Sequence, residues 1–418
     1  MDAFIINGGA PLKGGVKADG SKNAALPALL ASLLTDGECA VSGMPPLRDI
    51  RTALRLLEAL GKKTVYENGA ARILCGGKTA TDAPYDLVKQ MRASALAAGP
   101  LLARFGRARV PLPGGCAIGL RPLDIHIKAF ERLGASVRTR DGCLELSARK
   151  LEGARIKFPF PSVGATENAM LCAALTPGLT VLENPALEPE IDDLISCLNG
   201  MGAFIRREKN GDISINGVKK LRGANHAVMP DRVVAGTCLV AAAATGGEID
   251  ISDCRPRDMR ALLAALAKSG ARIKTGANSV SLKAPKSRPL PAGITTRPHP
   301  GFPTDLQPQW MAYMCRAAGC CRVRETIFEN RFMHAAELAR MGADIRVKGN
   351  CAAISGAARL SGAEVMSSDL RGGAALAVAA LSAGGRSVVQ RVYHIDRGYF
   401  RLENTFSALG ADIRRVNL

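Results

Sequence analysis

A short glycine phrase recurs six times along the chain and constrains its fold more than any other feature. Each copy joins an apolar helical run to a short strand, and the copies begin as LGKKTV, LGASVR, MGAFIR, SGARIK, MGADIR and LGADIR. Their glycines are Gly61, Gly134, Gly202, Gly270, Gly342 and Gly410. Because an even period of roughly 70 residues requires one supersecondary unit used repeatedly, the sequence predicts six copies of that unit.

Each copy also carries an Ala/Leu-rich run that ends in a glycine and an apolar strand, for example ALPALLASLLTDGECAVSG and GAALAVAALSAGGRSVVQ. The closing glycine suits a helix C-cap, and the β-branched residues after it favour a strand. Several runs are apolar nearly all round, which indicates helices buried on every side. We therefore predict an α/β fold of two inside-out domains, each with three repeated units, buried helices and outer sheets, joined near residues 221–230. Solenoid repeats are usually shorter, about 20–45 residues.

Composition excludes several classes of protein. The 418-residue chain is 47% hydrophobic, yet no apolar run reaches the ~20 residues of a membrane helix, and its beginning lacks the features of a signal peptide. We therefore expect a soluble, cytoplasmic protein. The twelve cysteines contain no CxxC pair and the five histidines are dispersed, so neither a metal site, a cofactor nor a disulfide framework is expected.

The net charge of +19 raises the possibility of nucleic-acid binding. The basic residues are spread along the whole chain, however, and no RNP-like motif or zinc finger appears. We therefore expect no nucleic-acid partner and take the charge to favour small anionic ligands by electrostatic steering.

The residues that precede the six buried helices indicate what these ligands would contact. Equivalent positions carry Lys22, Arg92, Gly164, Arg232, Asp305 and Arg371, of which four are cationic. Since a helix N-terminus bears unpaired N–H groups and partial positive charge, cations placed there reinforce an anion site. If the helices of each domain run parallel, two such faces would enclose a positive cleft for a polyanionic substrate.

Four residues at or near these helix starts stand out. Arg121 and Arg397 begin the second helices of their units and could face the same cleft. Asp305 is a carboxylate among cations, so it would stay ionised and available as a general base, although a capping or surface role is an equal alternative. Cys116 follows two glycines in LPGGCAIGLRPLD, and nearby cations would lower the pKa of its thiol and make it reactive.

Long motifs across the chain resemble one family. They include SKNAALPALLASLL, APYDLVKQMRAS, LPGGCAIGLRPLDIH, SVGATENAM, PDRVVAGT, FPTDLQPQ, ETIFENRFMHAAELARMGA and HIDRGYFRLENTFSALGA. From about residue 4 to residue 417 the chain is similar to the UDP-N-acetylglucosamine 1-carboxyvinyltransferases, which are enolpyruvyl transferases of peptidoglycan synthesis. The resemblance implies transfer of the enolpyruvyl group of phosphoenolpyruvate to the 3-hydroxyl of UDP-N-acetylglucosamine, with release of phosphate and no metal. It also implies that residues 1–20 join a C-terminal domain of residues 229–418, and that residues 21–228 form the other domain.

The same resemblance assigns roles to individual residues. Lys22 and Asn23 would bind phosphoenolpyruvate, and Arg121, Arg371 and Arg397 would hold its phosphate and carboxylate through their forked donors. Asp305 would be the base, and Cys116 the proton donor that fosfomycin alkylates. Residues that would hold the UDP-sugar are Arg92, Arg121, Pro122, Leu123, Asp124, Ile125, Ser162, Val163, Gly164, Asp305 and Ile327.

Two positions depart from the family pattern. Val234 stands where relatives commonly have a carboxylate, and Leu187 stands where they often have a basic residue. These departures motivate one alternative, a non-catalytic or regulatory UDP-sugar-binding paralogue. The other alternative is the sister enzyme that acts on 3-phosphoshikimate, against which GGCAIGLRP and SVGATEN argue.

Overall fold

The computed structural model describes residues 2–112, 119 and 123–417. These residues form two compact units, which are described separately below. One unit comprises residues 20–112 and 123–229, and the other comprises residues 2–19 and 230–417. Each unit surrounds its own large cluster of buried aliphatic side chains.

The strands are short and follow one another along the whole chain. They are β1 (Asp2–Gly8), β2 (Lys13–Lys17), β3 (Cys39–Ser42), β4 (Lys62–Glu67), β5 (Ala70–Cys75), β6 (Arg107–Pro111), β7 (Ser136–Arg140), β8 (Cys143–Ser147), β9 (Arg155–Lys157), β10 (Gly178–Glu183), β11 (Phe204–Arg207), β12 (Ile213–Gly217), β13 (Asn225–Ala227), β14 (Glu248–Ser252), β15 (Arg272–Thr275), β16 (Ser279–Lys283), β17 (Ile294–Thr295), β18 (Cys320–Arg324), β19 (Asp344–Lys348), β20 (Cys351–Ser355), β21 (Glu364–Met366), β22 (Gly385–Gln390) and β23 (Asp412–Asn417).

The helices alternate between long buried ones and amphipathic outer ones. They are α1 (Lys22–Ala31), α2 (Arg48–Ala59), α3 (Tyr85–Val88), α4 (Ala98–Phe105), α5 (Asp124–Arg132), α6 (Val163–Ala173), α7 (Pro189–Gly200), α8 (Arg232–Thr245), α9 (Arg260–Lys268), α10 (Gln307–Met314), α11 (His334–Arg340), α12 (Leu370–Ser382) and α13 (Leu402–Ala408). Turns of 3₁₀-helix cover Ser32–Leu34, Arg92–Ala97, Pro256–Met259, Thr304–Leu306 and Val392–Arg397.

The strands form six sheets, one for each predicted repeat. Five sheets have four strands in the orders β13-β3-β5-β4, β11-β12-β10-β9, β15-β16-β14-β2, β17-β18-β20-β19 and β21-β22-β1-β23. In each of these five, one edge strand pairs in parallel and the other pairings are antiparallel. The sixth sheet is β6-β8-β7, where a single parallel bridge between Asp82 and Arg109 occupies the place of the edge strand.

The six repeated glycines adopt one backbone conformation. Their φ angles lie between +89° and +98°, and each N–H donates to the carbonyl three residues earlier, as Gly61 does to Glu58. This left-handed conformation costs other residues free energy but suits glycine, which explains why glycine recurs here. The prediction of a repeated helix-to-strand junction is confirmed.

The burial of the helices also agrees with the sequence prediction. Every residue of α12 from Arg371 to Ser382 is buried, and α1, α6, α8 and α10 are nearly as enclosed. The predicted closing-glycine cap was wrong for these helices apart from α8, whose C-cap is Gly246. In the second run, α4 also ends at a glycine, Gly106. In the other helices a few residues intervene, so that Gly178 and Gly385 begin the following strands, whereas Gly37 and Gly319 precede theirs.

Cationic side chains satisfy carbonyl groups at the far ends of several buried helices. Lys62 Nζ donates to Thr35 O at 2.5 Å after α1, and Arg316 Nη1 donates to Ala244 O at 2.8 Å in α8. Arg288 donates to the carbonyl of Ala317 after α10. Because the C-terminal end of a helix carries partial negative charge, part of the chain's excess of cations stabilises the core.

Candidate active site

The described residues contain most of the predicted site, divided between the two units. Cys116, Arg121 and Pro122 lie outside the described residues. The unit of residues 20–112 and 123–229 holds Lys22, Asn23, Arg92, Leu123, Asp124, Ile125, Ser162, Val163 and Gly164. The other unit holds Asp305, Ile327, Arg371 and Arg397.

Asp305 lies between two buried arginines. It sits in the 3₁₀ turn before α10, where Oδ1 is 3.1 Å from Arg331 Nη2 and Oδ2 is 2.9 Å from Arg371 Nη2. The arginine side chains are only 2% and 4% exposed, whereas that of Asp305 is 29% exposed. The carboxylate is therefore held by cations on its buried side, which favours its ionised form, and remains accessible on the other.

Asp369 joins the start of α12 to this cluster. Its Oδ1 caps the helix by accepting hydrogen bonds from the N–H groups of Arg371 and Gly372 at 3.0 and 3.1 Å. The same oxygen is 3.7 Å from Arg331 Nη1. Arg331 thus lies between the carboxylates of Asp305 and Asp369, and these charges form one connected network.

Arg371 is oriented by an aromatic ring as well as by Asp305. Its guanidinium lies 5.3 Å from the ring centre of Tyr399, whose hydroxyl is 2.9 Å from Thr237 Oγ1 and accepts a hydrogen bond from Gln309 Nε2. Burial lowers the pKa of Arg371, but the negative charges of Asp305 and Asp231 and the contact with Tyr399 together outweigh burial, so the pKa is raised. Arg371 Nη1 is buried and has no hydrogen-bond partner among the described residues, so it can still donate to an anion.

A second arginine orders the turn that carries Arg397. Arg415 in β23 makes two hydrogen bonds to Asp396, at 2.9 and 2.6 Å, and its Nε donates to Glu403 at 2.9 Å. Its Nη1 also donates to Asp2 in β1 at 3.1 Å. The hydrogen bonds that Arg415 donates to Asp396 and Glu403 raise its pKa despite partial burial. The last strand and the first strand therefore both fix the backbone next to Arg397.

His334 lies at the start of α11 and is entirely buried. Burial lowers its pKa to about 4; Asp369 opposes the change and Arg331 adds to it. Neither ring nitrogen has a hydrogen-bond partner among the described residues. His334 is therefore a neutral group beside the ionic cluster at ordinary pH.

In the other unit, Lys22 is paired with a residue that the sequence did not single out. Lys22 begins α1, and its Nζ is 3.1 Å from Asp49 Oδ2 in the first turn of α2. The side chains are 10% and 5% exposed. Because a buried ammonium needs a counter-ion, Asp49 compensates the charge of Lys22 and fixes the position of its side chain at the head of the helix.

The predicted residues at the start of α6 adjoin a hydrogen-bond network of backbone, amide and imidazole groups. Ser162 Oγ caps the helix by accepting from Ala165 N–H at 3.4 Å, and Gly164 lies against the ring of His126. Asn168 Nδ2 is 3.0 Å from both Ala95 O and His126 Nδ1, and its Oδ1 accepts from Gly99 N–H at 3.0 Å. This network joins α4, α5 and α6 beneath Gly164.

Sequence reasoning missed Arg331, Asp369 and Asp49, although two of them carried a signal. Arg331 is the third residue of ENRFMHA, as Arg397 is of IDRGYF, so the repeat aligns them. Asp49 occupies in LRDI the place that Asp124 has in PLDI. Asp369 looks like an ordinary helix cap in the sequence, and only its distance to Arg331 shows its second contact.

The two departures from the family pattern lie away from these contacts. Val234, in the first turn of α8, is partly buried against the core, and its N–H donates to Asp231 Oδ1 at 3.0 Å. Leu187 is 39% exposed and lies near the hairpin residue Gly211. Both are therefore accommodated as apolar side chains without disturbing the local backbone.

Three other features of the described residues limit the chemistry. They contain no group of three or more His, Cys, Asp or Glu side chains that could hold a metal ion. None of their helices is both long and apolar enough to span a membrane. Burial raises the pKa of the thiols of Cys172, Cys197, Cys238 and Cys315 to about 12, so these cysteines remain unreactive thiols.

Comparison with known proteins gives consistent results. The family model described as EPSP synthase (3-phosphoshikimate 1-carboxyvinyltransferase) matches residues 6–406. Proteins named UDP-N-acetylglucosamine 1-carboxyvinyltransferase are 51% identical in Elusimicrobium minutum and 50% identical in Trichlorobacter lovleyi. Each alignment spans 418 residues, all of this chain and at least 99% of the relative. The crystal structure of the enolpyruvyl transferase NikO from Streptomyces tendae superposes with a TM-score of 0.88 at 25% identity, covering 100% of this chain and 99% of NikO.

Proposed function

The chain belongs to the EPSP synthase family of enolpyruvyl transferases, and we propose that it transfers the enolpyruvyl group of phosphoenolpyruvate to the 3-hydroxyl of UDP-N-acetylglucosamine, releasing phosphate. The observation that carries this proposal is identity at about half of all positions to full-length relatives with that activity in their names. The product would enter peptidoglycan synthesis.

The relatives also favour one acceptor over the other. The family model is described by the enzyme that acts on 3-phosphoshikimate, but the 48–51% identical relatives are named for UDP-N-acetylglucosamine. A family model covers both kinds of enzyme, whereas high identity over the whole chain favours the acceptor of those relatives. We therefore retain the UDP-sugar as the acceptor.

Three cationic side chains are the proposed ligands of phosphoenolpyruvate. Lys22 supplies a buried ammonium, and Arg371 supplies a buried guanidinium with one unused donor. Arg397 would add a third cation from the turn fixed by Arg415. Phosphoenolpyruvate carries a phosphate and a carboxylate. Buried cationic side chains that donate hydrogen bonds therefore suit it better than solvated ones.

Asp305 would accept the proton of the attacking sugar hydroxyl. Its two oxygens accept hydrogen bonds from Arg331 and Arg371, and the side chain is 29% exposed, so a sugar hydroxyl can reach the carboxylate. The sugar oxygen would form a bond to the central carbon of the enol while the methylene carbon gains a proton, for which Cys116 is the proposed donor. Loss of phosphate and of one methyl proton from the tetrahedral intermediate then restores the double bond.

The test is phosphate release from phosphoenolpyruvate with and without UDP-N-acetylglucosamine, compared with 3-phosphoshikimate as acceptor. We expect release only with the UDP-sugar, and loss of release in Asp305→Ala and Cys116→Ala. Release with 3-phosphoshikimate alone would assign the other acceptor. UDP-sugar binding without release would support a non-catalytic binding protein, and Leu187 and Val234 would then be the first positions to change.

A further inference from the structure

The carboxylate of Glu325 connects the two segments that carry Asp305 and Ile327. It is only 2% exposed. Its Oε1 accepts hydrogen bonds from Ile327 N–H at 2.7 Å and Phe328 N–H at 3.3 Å. Its Oε2 accepts a hydrogen bond from the hydroxyl of Thr304 at 2.9 Å.

We propose that Glu325 is a positioning residue for the acceptor side of the reaction, holding the Asp305 turn and the Ile327 backbone at a fixed separation. The proposal deepens and rests on the proposed function, in which Asp305 takes the sugar proton and Ile327 contacts the UDP-sugar. Thr304 immediately precedes Asp305, so a bond at its side chain constrains the turn that aims the carboxylate.

The type of partner explains why this residue is a carboxylate. Burying a carboxylate costs free energy unless its oxygens accept hydrogen bonds. Here the two segments supply neutral donors, and Thr296 Oγ1 donates to Oε1 at 2.7 Å. Hydrogen bonds to an ionised acceptor are shorter and stronger than neutral ones. Glu325 can therefore hold both segments together, which a neutral side chain of similar size would do less firmly.

Two further hydrogen bonds hold the segment that contains Ile327. Thr326 N–H donates to Thr296 Oγ1 at 2.9 Å, and Thr326 Oγ1 donates to Thr296 O at 2.6 Å. The segment that contains Ile327 is thus anchored to a fully buried threonine as well as to Glu325. The segment that contains Thr304 is held by Glu325 and by Arg331, whose Nε and Nη2 donate to Thr304 O at 3.4 and 3.3 Å.

This asymmetry gives a test that separates the two segments. Thr304→Val removes only the hydroxyl that bonds to Oε2, and Thr304→Ser restores a hydroxyl. We expect Thr304→Val to lower kcat about tenfold with a change in KM for UDP-N-acetylglucosamine of less than about threefold, and Thr304→Ser to recover most of kcat. A role in folding alone would lower the thermal midpoint and leave kcat per folded molecule unchanged in both variants.

Glu325→Met tests the other segment with a readout independent of turnover. The variant keeps the volume but leaves the Ile327 and Phe328 amides without their acceptor, so their hydrogen exchange should accelerate at least about tenfold. KM for the UDP-sugar should rise by a similar factor. Glu248→Met is the matched control, because Glu248 is exposed on β14 of the same unit, and it should change neither quantity.

The outcomes distinguish this proposal from the proposed function. If the wild type does not use UDP-N-acetylglucosamine, the function fails, and the exchange experiment still decides whether Glu325 holds the Ile327 segment. If the wild type is active but Thr304→Val keeps full kcat, or Glu325→Met keeps both amides protected, Glu325 does not position the site. Should Glu325→Met fail to fold, the Thr304 pair decides alone.

Discussion

The two units hold their candidate site residues by different physical means. In the unit of residues 2–19 and 230–417, Asp305, Arg331, Asp369 and Arg371 form one chain of charges in which each group contacts at least one other. In the other unit, Lys22 forms an ion pair with Asp49, and the hydrogen-bond network of Asn168 consists of backbone, amide and imidazole groups.

The difference determines how far a substitution is felt. A buried charge that loses its counter-ion is strongly destabilising. In a connected cluster, the charges of the neighbouring groups are then also incompletely compensated. A neutral network loses only the hydrogen bonds that the deleted group made. Substitutions in the ionic cluster should therefore alter activity, stability and pH dependence together, whereas those in the other unit should have smaller and separable effects.

Asp305→Asn should have the largest effect because it leaves two buried guanidinium groups facing an uncharged side chain. We expect kcat to fall about a hundredfold or more, since a general base is lost, and the free energy of unfolding to fall by about 3 kcal/mol. Steady-state kinetics and urea unfolding measure the two quantities. Asp250→Asn on β14 is the matched exposed control and should stay within about 0.5 kcal/mol of wild type.

Acid should weaken the same unit through His334. Its folded pKa of about 4 lies below the ordinary value of 6.5, so the unfolded chain binds the extra proton first as the pH falls. The stability from neutral His334 is fully present above about pH 6.5 and is lost as the pH falls towards 4, by up to about 3 kcal/mol.

The measurement is urea unfolding of wild type and His334→Leu between pH 4 and pH 7. Carboxylates titrate in both proteins, so the difference between the two curves isolates the histidine. We expect His334→Leu to lose less stability than wild type as the pH falls. Parallel curves would show that His334 is protonated as readily in the folded protein as in the unfolded chain.

The sequence could predict those features of the fold and the site that depend on residues close together in the chain. The six junction glycines and the buried helices were predictable, because a positive φ and an all-round apolar surface are local properties that repeat along the chain. Lys22, Asp305 and Arg371 could be found as helix-start residues for the same reason. The family resemblance added the roles.

The partners of these residues were not predictable in the same way. Arg331 is 26 residues from Asp305, and Asp49 is 27 residues from Lys22, so their contacts depend on how separate helices pack. Glu325 follows β18, a strand in which charged and apolar residues alternate. The sequence alone does not show that Glu325 is buried whereas the preceding Arg324 is exposed. Burial and distance, which only the folded chain provides, separate such residues from surface charges.

Asp49→Asn should have an intermediate effect, since it removes one partner of one buried pair. We expect a loss of about 2 kcal/mol in the free energy of unfolding and a higher KM for phosphoenolpyruvate, because the Lys22 ammonium loses its orientation. The matched control is Asp86→Asn, whose partner Lys89 is at the surface, where an ion pair contributes little. Equal losses in the two variants would mean that burial of the Lys22 pair has no energetic consequence.

Asn168→Ala should have the smallest effect of the four. It removes the amide that bonds to Ala95 O, His126 Nδ1 and Gly99 N–H, and none of these partners is a carboxylate, lysine or arginine. We expect a loss of about 1–2 kcal/mol in the free energy of unfolding and an unchanged KM for phosphoenolpyruvate. The control is Asn216→Ala, at an exposed position of β12. A loss as large as that of Asp305→Asn would contradict the contrast between the units, because a neutral network would then be as costly to break as the ionic one.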